Sequence, residues 1–261
     1  MIKGQGKFIH VLTPMHVGGN YEFSVVDQPI QREGHTGFPK IEASSFKGSV
    51  RHHLERQNEK LEELFGSTEQ AGKLTFTDAH ILFFPIRSAK GLYALITCPS
   101  ILARYTKGEP IKLDGEAATY SNNLIIEGKL LLDEYVYTHI KRNNNFNQII
   151  ESIEDKMGSA ICLKQHALLL SDDDFAYFVK HHTEIITRTA IDSTTGIVKE
   201  GALFDEEYVP AEAIFYTTIY GEDKDIANLE LDVLQIGGNM TIGKGFVKIY
   251  NAEAQDEKHS K

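Results

Sequence analysis

The sequence predicts an α+β fold, in which a mixed β-sheet carries helices on one face. Strand-like segments alternate with shorter helical segments up to about residue 182, and strand-like runs dominate the last third of the chain. No internal repeat or clear linker divides the 261 residues, although length alone does not separate one large domain from two small ones. A composition of 41% apolar and 25% charged residues is that of a globular protein with a buried core.

The first strands are predicted from loose alternation and from β-forming residues that lie between turn signals. They cover residues 7–17, 73–86, 91–99 and 128–137. A long segment with several glycines, Gly18 to Lys40, follows the first strand, and loops of this length inside a domain are usually functional or disordered. Residues 171–182 are predicted to form a helix, because the segment has an acidic, capped start.

Residues 44–57 are predicted to form another helix, because apolar residues recur there every four positions. The stripe consists of Phe46, Val50 and Leu54. The expected N-cap is Ser44 or Ser45, since a serine hydroxyl accepts hydrogen bonds from free N–H groups at a helix start.

The polar face of this helix has two interpretations. Ser44, Lys47 and Arg51 share one face, and together with the free N–H groups of the helix start they form a possible cradle for phosphate. In the other interpretation the face is merely solvated and pairs with Glu55, which is the commoner case for an arbitrary helix.

The last third of the chain contains a predicted long hairpin. Residues 184–192 lead into a turn at Ser193 to Gly196, and a second strand-like run follows it. Many residues of the hairpin lack the alternation of a half-buried strand, which indicates an arm that reaches away from the core. Residues 251–261 form a polar tail that we expect to be disordered.

Charge and composition exclude several classes of protein. The net charge of −10 argues against a free, nonspecific nucleic-acid binder, so an RNA-binding role requires a local basic surface on an acidic body. No apolar run reaches the roughly 20 residues needed to span a bilayer, and we see no secretory signal. Cys98 and Cys162 lie far apart without metal-ligand spacing. The simplest interpretation is a reduced cytoplasmic protein without a structural metal.

The glycine-rich stretch at 237–245 is close to a phosphate-binding P-loop. Position 245, however, is Gly instead of the Ser or Thr that holds magnesium, and a strand-like segment follows instead of a helix. Nucleotide hydrolysis is therefore rejected. A glycine-rich turn beside Lys244 also allows close approach of an RNA backbone, and the alternative is a plain bulged hairpin.

Asp27 lies inside the long loop, two residues before Pro29. An acidic residue in this position is most often a turn former. Composition and spacing do not promote Asp27 beyond that role.

Four stretches of the sequence, taken in order, resemble one family. They are TPMHVGG (13–19), VVDQPIQREGHTGFPKIEASSFKGSVR (25–51), TRTAIDSTTGIVKEGALFDEEYVP (187–210) and IGGNMTIGKGF (236–246). Together they resemble the RAMP superfamily of CRISPR proteins, and most closely the fourth Cmr subunit, which is the repeated backbone of type III-B effector complexes. The segments at 30–41 and 84–99 indicate this subunit and not its type III-A counterpart.

This resemblance implies a single RAMP domain over residues 1–250, with a ferredoxin-like, RRM-type palm, a helical insertion and a protruding β-hairpin thumb at about 184–212. It also implies that copies of the chain stack with other Cmr effector subunits into a cytoplasmic filament along a guide RNA (crRNA). Each thumb is expected to unstack one guide nucleotide and the opposite base of the single-stranded target RNA. The target is then cut once beside each subunit.

The residue roles also follow from the resemblance. The loop aspartate of the family motif falls on Asp27, which makes it the expected catalytic carboxylate. Weaker candidates for the same site are His16, Glu206, Glu207 and Tyr208, on the expectation that the thumb of one copy approaches the Asp27 loop of the next. The implied RNA-binding residues are Ser44, Ser45, Lys47, Gly48, Arg51, Arg188, Gly237, Gly238, Gly243, Lys244 and Gly245. The implied wedge of the thumb is Ile191, Leu203 and Phe204.

The implied chemistry is cleavage of RNA by attack of its own 2′-OH on the adjacent phosphate. Unstacking the flanking nucleotide supplies the in-line geometry. A carboxylate then accepts the 2′-OH proton or holds a divalent cation against the phosphate. Because Asp27 is a lone loop carboxylate, we expect any Mg²⁺ or Mn²⁺ to be weakly held and largely hydrated.

Two other functions remain open. The chain is either a cutting backbone subunit, a purely structural RAMP subunit that grips guide RNA, or a stand-alone RAMP endoribonuclease that processes guides by histidine chemistry. The presence of Asp27 in the matching motif favours the first over the second. The filament-type motifs and the acidic net charge favour it over the third.

Overall fold

The structure is a computed structural model that describes residues 2–19, 25–55, 61–199 and 201–252. Within these residues the chain forms a mixed sheet of eleven strands, a three-stranded sheet, a separate two-stranded hairpin and seven α-helices. The predicted α+β class is therefore confirmed. None of the helices in the described ranges is long and apolar enough to cross a membrane.

The strands are β1 (Lys3–Val11), β2 (Lys40–Ile41), β3 (Thr75–Phe76), β4 (Ala79–Arg87), β5 (Tyr93–Thr97), β6 (Ala117–Thr119), β7 (Ile125–Ile126), β8 (Lys129–Leu132), β9 (Tyr135–Tyr137), β10 (Ile140–Lys141), β11 (Ala167–Leu170), β12 (Glu184–Arg188), β13 (Phe204–Tyr208), β14 (Ile214–Gly221), β15 (Val233–Gln235) and β16 (Phe246–Asn251). The helices are α1 (Ala43–Leu54), α2 (Leu61–Phe65), α3 (Pro99–Thr106), α4 (Asn144–Met157), α5 (Leu163–His166), α6 (Asp172–His181) and α7 (Asp223–Ala227).

The centre of the large sheet is an antiparallel group in the order β4-β14-β1-β16. β1 pairs with β14 and β16 along most of its length, and its last six residues are buried. Beyond β4 the order continues β5-β11-β6-β10, where the β5–β11 and β6–β10 pairs are parallel. Residues 93–170 therefore extend the main sheet as well as carrying helices α3 to α5.

Helices cover both faces of the central strands, so the expectation of helices on one face is wrong. On one face, Phe46 of α1 packs edge-on against Phe76 of β3 at 5.6 Å between ring centroids. On the other face, Tyr105 of α3 packs against Phe8 of β1 and Tyr216 of β14 at 5.8 and 4.9 Å. Successive strand residues point to opposite faces, so a strand buried throughout must be covered twice.

The helix predicted over residues 44–57 is α1, and its apolar stripe is buried as expected. The expected serine N-cap is wrong, because the helix begins one residue earlier and Glu42 is its N-cap without a side-chain bond. The N–H group of Ala43 instead donates to Oδ1 of Asp78 at 2.8 Å. A carboxylate from a distant loop therefore takes the place of the serine hydroxyl.

The segment predicted as one strand over 128–137 is instead two strands. β8 and β9 pair antiparallel, and the chain turns between them at Asp133, whose φ is 49°. Aspartate tolerates this left-handed conformation better than most residues, and nothing in the alternation of the run signals the reversal. The helix predicted over 171–182 is α6, and its N-cap Ser171 accepts a hydrogen bond from the N–H of Asp174.

The predicted hairpin is present as β12 and β13, which pair in a sheet of their own from Glu184 opposite Tyr208 to Arg188 opposite Phe204. At its far end the carboxylate of Asp192 accepts N–H groups of Thr194 and Thr195 at 2.8 and 3.0 Å, which forms the expected tight turn. Four apolar residues beyond the paired strands are more than half exposed. They are Ile191, Ile197, Val198 and Leu203.

The end of the main sheet extends slightly past the expected domain boundary at residue 250. Asn251 still belongs to β16, and the N–H group of Ala252 donates to the carbonyl of Gly6 at 2.9 Å. The rest of the predicted tail, 253–261, lies outside the described residues.

Candidate functional site

Asp27 lies against the base of the hairpin of its own chain. Its exposed carboxylate accepts the backbone N–H of Asp205 through Oδ2 at 2.9 Å. The following residue, Gln28, donates its N–H to the carbonyl of Asp205 and accepts the N–H of Glu207, both at 2.9 Å. The segment after Asp27 therefore runs alongside β13 as an extra short strand. The other oxygen of Asp27 accepts no hydrogen bond from the described residues.

The same segment is held on its other side by the loop after β1. The N–H of Gly19 donates to the carbonyl of Pro29, and the N–H of Gln31 donates to the carbonyl of Val17, each at 2.8 Å. Asp27 is thus carried by backbone that is bonded along both edges, and we expect such backbone to move little.

A buried ion cluster fixes the far end of this segment. The carboxylate of Glu33 accepts hydrogen bonds from His80 at 2.6 Å, from Arg104 at 2.5 Å and from Thr36 at 2.7 Å. Burial alone raises the pKa of Glu33, but these hydrogen bonds outweigh it and hold the pKa well below its usual range. Glu33 therefore stays charged and paired at neutral pH.

Three of the weaker candidates meet in a second cluster beside β13. They are His16, Glu206 and Tyr208. Glu206 forms an ion pair with Arg188 at 2.7 Å and accepts the hydroxyl of Tyr208 at 2.5 Å. His16 donates through Nδ1 to the carbonyl of Glu207 at 2.7 Å, which leaves its Nε2 3.7 Å from Oε1 of Glu206. Burial, and then the bond to Glu206, raise the pKa of Tyr208 to about 12.

The four weaker candidates are all buried. Their exposed fractions are 8% for His16, 3% for Glu206, 5% for Glu207 and 0% for Tyr208. Successive strand residues point to opposite faces, so Glu207 does not share the cluster of Glu206 and Tyr208. Its carboxylate instead contacts the Asp27 segment. Burial favours supporting roles for these residues over direct contact with RNA.

The glycine-rich stretch is the loop that joins β15 to β16, with a short 3-10 turn at Met240–Ile242. A Cβ atom at Gly237 would lie 2.1 Å from the carbonyl oxygen of His16, and one at Gly245 would lie 2.1 Å from that of Ile236. Both glycines also have positive φ, so packing against the chain requires them. β16 follows the loop directly, which agrees with the rejection of a P-loop.

This loop also reaches the cluster around Glu206. The side-chain amide of Asn239 donates to Glu206 at 2.5 Å and to the Tyr208 hydroxyl at 3.0 Å. The ammonium group of Lys244 lies 4.9 Å from the centre of the Tyr208 ring, within cation–π range. Lys244 and Arg188 therefore both lie beside Tyr208 of the hairpin, where the charge of Arg188 is paired with Glu206. Gly238 and Gly243 are exposed on the same loop.

The α1 candidates divide into two groups. Ser44 and Lys47 line an open cleft of about 410 Å³ between α1, α2 and β3, and Gly48 is exposed. Arg51 instead donates to the carbonyl of Gly66 at 3.3 Å and lies 3.8 Å from a carboxylate oxygen of Glu55. Arg51 therefore has the pairing with Glu55 that the commoner interpretation describes, and its role in RNA binding stays a prediction.

The remaining serine of α1 links this helix to the Asp27 segment. The hydroxyl of Ser45 accepts the side-chain amide of Gln31 at 3.1 Å, and the amide oxygen of Gln31 accepts the N–H of Glu42 at 2.7 Å. Ser45 is thus a structural partner of the segment.

The thumb candidates lie beyond or at the end of the paired strands. Ile191 and Leu203 are exposed by 63% and 67%, and Phe204 is half-buried at the start of β13. The sequence analysis missed Ile197 and Val198, which are also exposed there. Their position after a glycine turn in an otherwise polar run was the available signal.

Within the described part of the chain, no ready-made metal centre surrounds Asp27. Among the described residues, no group of three or more histidine, cysteine or acidic side chains could hold an ion. One exposed carboxylate with a free oxygen fits only a cation that takes its other ligands from water and from RNA phosphate, which is the usual habit of Mg²⁺.

Comparisons with known proteins agree with the motifs. The sequence model of the RAMP superfamily matches residues 8–248. A Pyrococcus furiosus protein named CRISPR system Cmr endoribonuclease Cmr4 is 36% identical over 92% of this chain and 93% of its own length.

Solved structures show the same fold. The crystal structure of oligomeric Cmr4 from Pyrococcus furiosus superposes with a TM-score of 0.77 at 32% identity, covering 96% of this chain and 98% of that one. A chain in the cryo-EM structure of the type III-B Cmr-beta bound to cognate target RNA gives a TM-score of 0.75 at 26% identity, covering 95% and 96%. The chain therefore belongs to the RAMP superfamily and, within it, to the Cmr4 family of type III-B CRISPR complexes.

Proposed function

We propose that this chain is a repeated backbone subunit of a cytoplasmic RNA-guided complex. It binds guide RNA together with copies of itself and other Cmr subunits, and it cuts the complementary target RNA at regular intervals through Asp27. Support comes from the relative named as an endoribonuclease, from the oligomeric Cmr4 crystal structure and from the complex bound to target RNA.

The palm of the proposed subunit is the group β4-β14-β1-β16 with α1 and α7. In chain order these strands are the second, third, first and fourth of the group, which is the ferredoxin-like arrangement. The thumb is the β12–β13 hairpin, whose separate sheet and exposed apolar end support the role of a wedge.

The observation that carries the proposal is the position of Asp27. Its carboxylate is exposed, is held by the N–H of Asp205, and lies beside β13, the returning strand of the thumb hairpin. In the assembled filament, the thumb of a neighbouring copy is proposed to bring an unstacked nucleotide to this carboxylate. Lys244, beside the same hairpin, supplies positive charge that favours a phosphate group.

In the proposed reaction, the free oxygen of Asp27 accepts the proton of the 2′-OH as that oxygen attacks the adjacent phosphorus. The bond from phosphorus to the 5′-oxygen breaks, and the departing oxygen takes a proton from water. The products are a 2′,3′-cyclic phosphate and a 5′-hydroxyl. The N–H of Asp205 fixes the rotamer of Asp27, which orients the free oxygen to act as a base.

In the alternative role of Asp27, its free oxygen accepts no proton and instead holds a divalent cation, Mg²⁺ or Mn²⁺, weakly against RNA phosphate as the proposed cofactor. When bound, it neutralises charge that develops on the phosphate. Asp27 is the residue that would hold it, because its second oxygen is free among the described residues and its side chain is exposed.

The test is a reconstituted complex that carries Asp27→Asn in every copy. The amide still accepts the N–H of Asp205 but neither accepts a proton nor attracts a cation, so target cleavage should disappear while target affinity stays within about twofold. Cleavage within a few-fold of wild type would leave only the structural, guide-gripping role. Cleavage of precursor guides by the isolated chain would instead support the stand-alone processing enzyme.

A further inference from the structure

The carboxylate of Glu207 joins three parts of the chain that surround Asp27. Its Oε2 accepts the backbone N–H of Ile30 at 3.0 Å, and its Oε1 accepts the guanidinium of Arg32 at 2.5 Å and the hydroxyl of Thr183 at 2.7 Å. Ile30 and Arg32 belong to the segment that follows Asp27, and Thr183 directly precedes β12. A single side chain therefore fastens the Asp27 segment to both strands of the hairpin.

The backbone of Glu207 strengthens the same junction. Its N–H donates to the carbonyl of Gln28 at 2.9 Å, and its carbonyl accepts Nδ1 of His16 at 2.7 Å. Arg32 extends the junction further, because it also donates to the carbonyls of Gly37 at 2.8 Å and Val179 at 3.1 Å. The α6 helix is thereby tied to the same point.

Burial makes this link firm. Glu207 is only 5% exposed, so solvent screens its ion pair with Arg32 little, and a buried carboxylate needs every one of its hydrogen bonds. Removing its charge breaks the pairing with two donors at once. The lost hydrogen bonds belong to the segment that carries Asp27. The core of the sheet lies elsewhere and should keep its packing.

From this geometry we propose that Glu207 is a positioning residue for target cleavage, acting through the Asp27 segment and touching no RNA itself. This inference rests on the proposed function of Asp27. Glu207 fixes the position of the Asp27 carboxylate on the subunit, and so its distance from the phosphate that is cut. Misplacement of a catalytic group by about 1 Å can cost roughly 100-fold in rate.

The experiment compares reconstituted complexes that carry Glu207→Gln in every copy with wild type, under single-turnover conditions with saturating labelled target RNA. An amide of the same size cannot accept from both the Ile30 N–H and Arg32. We expect the cleavage rate constant to fall by about tenfold or more, with target affinity within about twofold. Hydrogen exchange of peptides covering 25–33 should rise, while peptides from β1 and β14 stay protected.

Two further variants make the result decisive. Arg32→Lys keeps the carboxylate and a positive charge but loses the forked contacts, so it should give a smaller loss of rate with the same local rise in exchange. If complexes with Glu207→Gln fail to assemble, Arg32→Lys still tests the positioning role of Glu207. Asp225→Asn is the matched control, because Asp225 is a carboxylate of similar burial, 6% exposed, on α7. It should cut within about twofold of wild type.

Outcomes for Glu207 and for Asp27 are separable in this design. If Asp27→Asn is inactive but Glu207→Gln cuts at the wild-type rate, the positioning role is overturned and the proposed function stands. If Asp27→Asn still cuts, both fail. A lower rate without increased exchange over 25–33, or an equal loss in Asp225→Asn, would also overturn the positioning role.

Discussion

The carboxylate of Asp27 accepts the backbone N–H of Asp205 at 2.9 Å, although 178 residues separate the two in sequence. Because the donor is a backbone group, side-chain variation at position 205 leaves the contact intact. The donor sits on β13, one residue after the strand begins. The position of the carboxylate is therefore coupled to the base of the hairpin within one chain.

The substitution Asp27→Glu tests this coupling, since it keeps the charge and lengthens the side chain. A longer carboxylate cannot both accept the Asp205 N–H and keep its oxygen in the same place. We expect target cleavage to fall about 100-fold with unchanged target binding. Single-turnover cleavage of labelled RNA, measured beside Asp27→Asn as the inactive limit, checks this. A rate near wild type would mean that charge alone, and not position, matters at residue 27.

The sequence indicated a catalytic role for Asp27 only through the resemblance to a family. It did not predict the contact of Asp27 with the backbone N–H of Asp205. Loops carry no periodicity, so nothing in the residues near 27 indicates contact with residues near 205. The expected partner was the thumb of a neighbouring copy. That expectation concerns a second chain and stays a prediction. Within one chain, the Asp27 loop pairs with β13 as an extra strand.

Local periodicity predicted the elements that depend on it. The stripe of α1 is buried, and the acidic, serine-capped start of α6 is present. Features set by distant contacts were missed. The N–H at the start of α1 is capped by Asp78, 35 residues away, and the second helical face of the sheet is covered by α3. Such contacts depend on tertiary packing, which propensity does not contain.

The two basic residues of α1 should behave differently when their charge is reversed. Lys47 lines the cleft beside Ser44 and has no ion pair among the described residues, whereas Arg51 lies close to Glu55 and donates to Gly66. We expect Lys47→Glu to weaken guide-RNA retention for all guide sequences alike, because phosphate contacts carry no base information. Arg51→Glu should have a smaller effect.

Salt dependence separates a phosphate contact from a change in folding. Losing one contact to single-stranded RNA lowers the slope of log affinity against log salt by about 0.7. Filter binding of guide RNA to the assembled complex at several salt concentrations measures that slope. An unchanged slope for Lys47→Glu, or a loss that depends on guide sequence, would remove Lys47 from the RNA interface.

The glycines of the β15–β16 loop should differ sharply in their tolerance of a methyl group. Gly237 has a φ of 84° and its Cβ would lie 2.1 Å from the carbonyl oxygen of His16. Gly243 has a φ of 79° but open space around it. We expect Gly243→Ala to cost about 1 kcal/mol from backbone strain alone, and Gly237→Ala clearly more. Thermal unfolding of the isolated chain measures both, and equal costs would contradict the close approach.

Lys7 should make the protein more stable as the solution becomes alkaline. It is 3% exposed on β1, and burial lowers its pKa from 10.5 to about 8. Below pH 8 both the folded and unfolded chains carry the proton, and the folded state bears the full cost of the buried charge. Between pH 8 and 10.5 only the unfolded chain binds the proton, so this contribution to the free energy of unfolding rises with pH.

The substitution Lys7→Met should remove this dependence. The lowered pKa of Lys7 corresponds to roughly 3 kcal/mol of lost stability in the folded protein at pH 7. The variant recovers less than this, because it also loses the hydrogen bonds to Gln5 and Asn251. We expect the variant to be more stable than wild type at pH 7, with a difference that shrinks between pH 8 and 10. Urea unfolding at several pH values gives the difference directly. A constant difference across this range would show that Lys7 is not desolvated.

The end of the hairpin should set the spacing of target cuts without taking part in the chemistry. Replacing residues 190–203 by a short Gly-Ser turn keeps β12 and β13, and with them the contact between Asp27 and Asp205. It removes the exposed apolar end, although unstacking a base costs about a few kcal/mol that such side chains must offset. We expect an unchanged melting temperature for the isolated chain, and in the reconstituted complex an irregular ladder of cuts together with weaker filament growth.

A second variant separates the apolar wedge from the length of the arm. Ile191, Ile197 and Leu203 are exposed by 63%, 69% and 67%, so changing all three to serine should leave the fold and the reach of the arm unchanged. If the wedge acts by inserting between bases, this variant should lose the regular ladder yet sediment as a complete complex. If instead the arm acts by reaching the neighbouring copy, only the variant with the shortened hairpin should lose both the regular ladder and complete assembly. A regular ladder from both variants, read on labelled target RNA beside normal sedimentation, would contradict the assignment of this hairpin as the thumb.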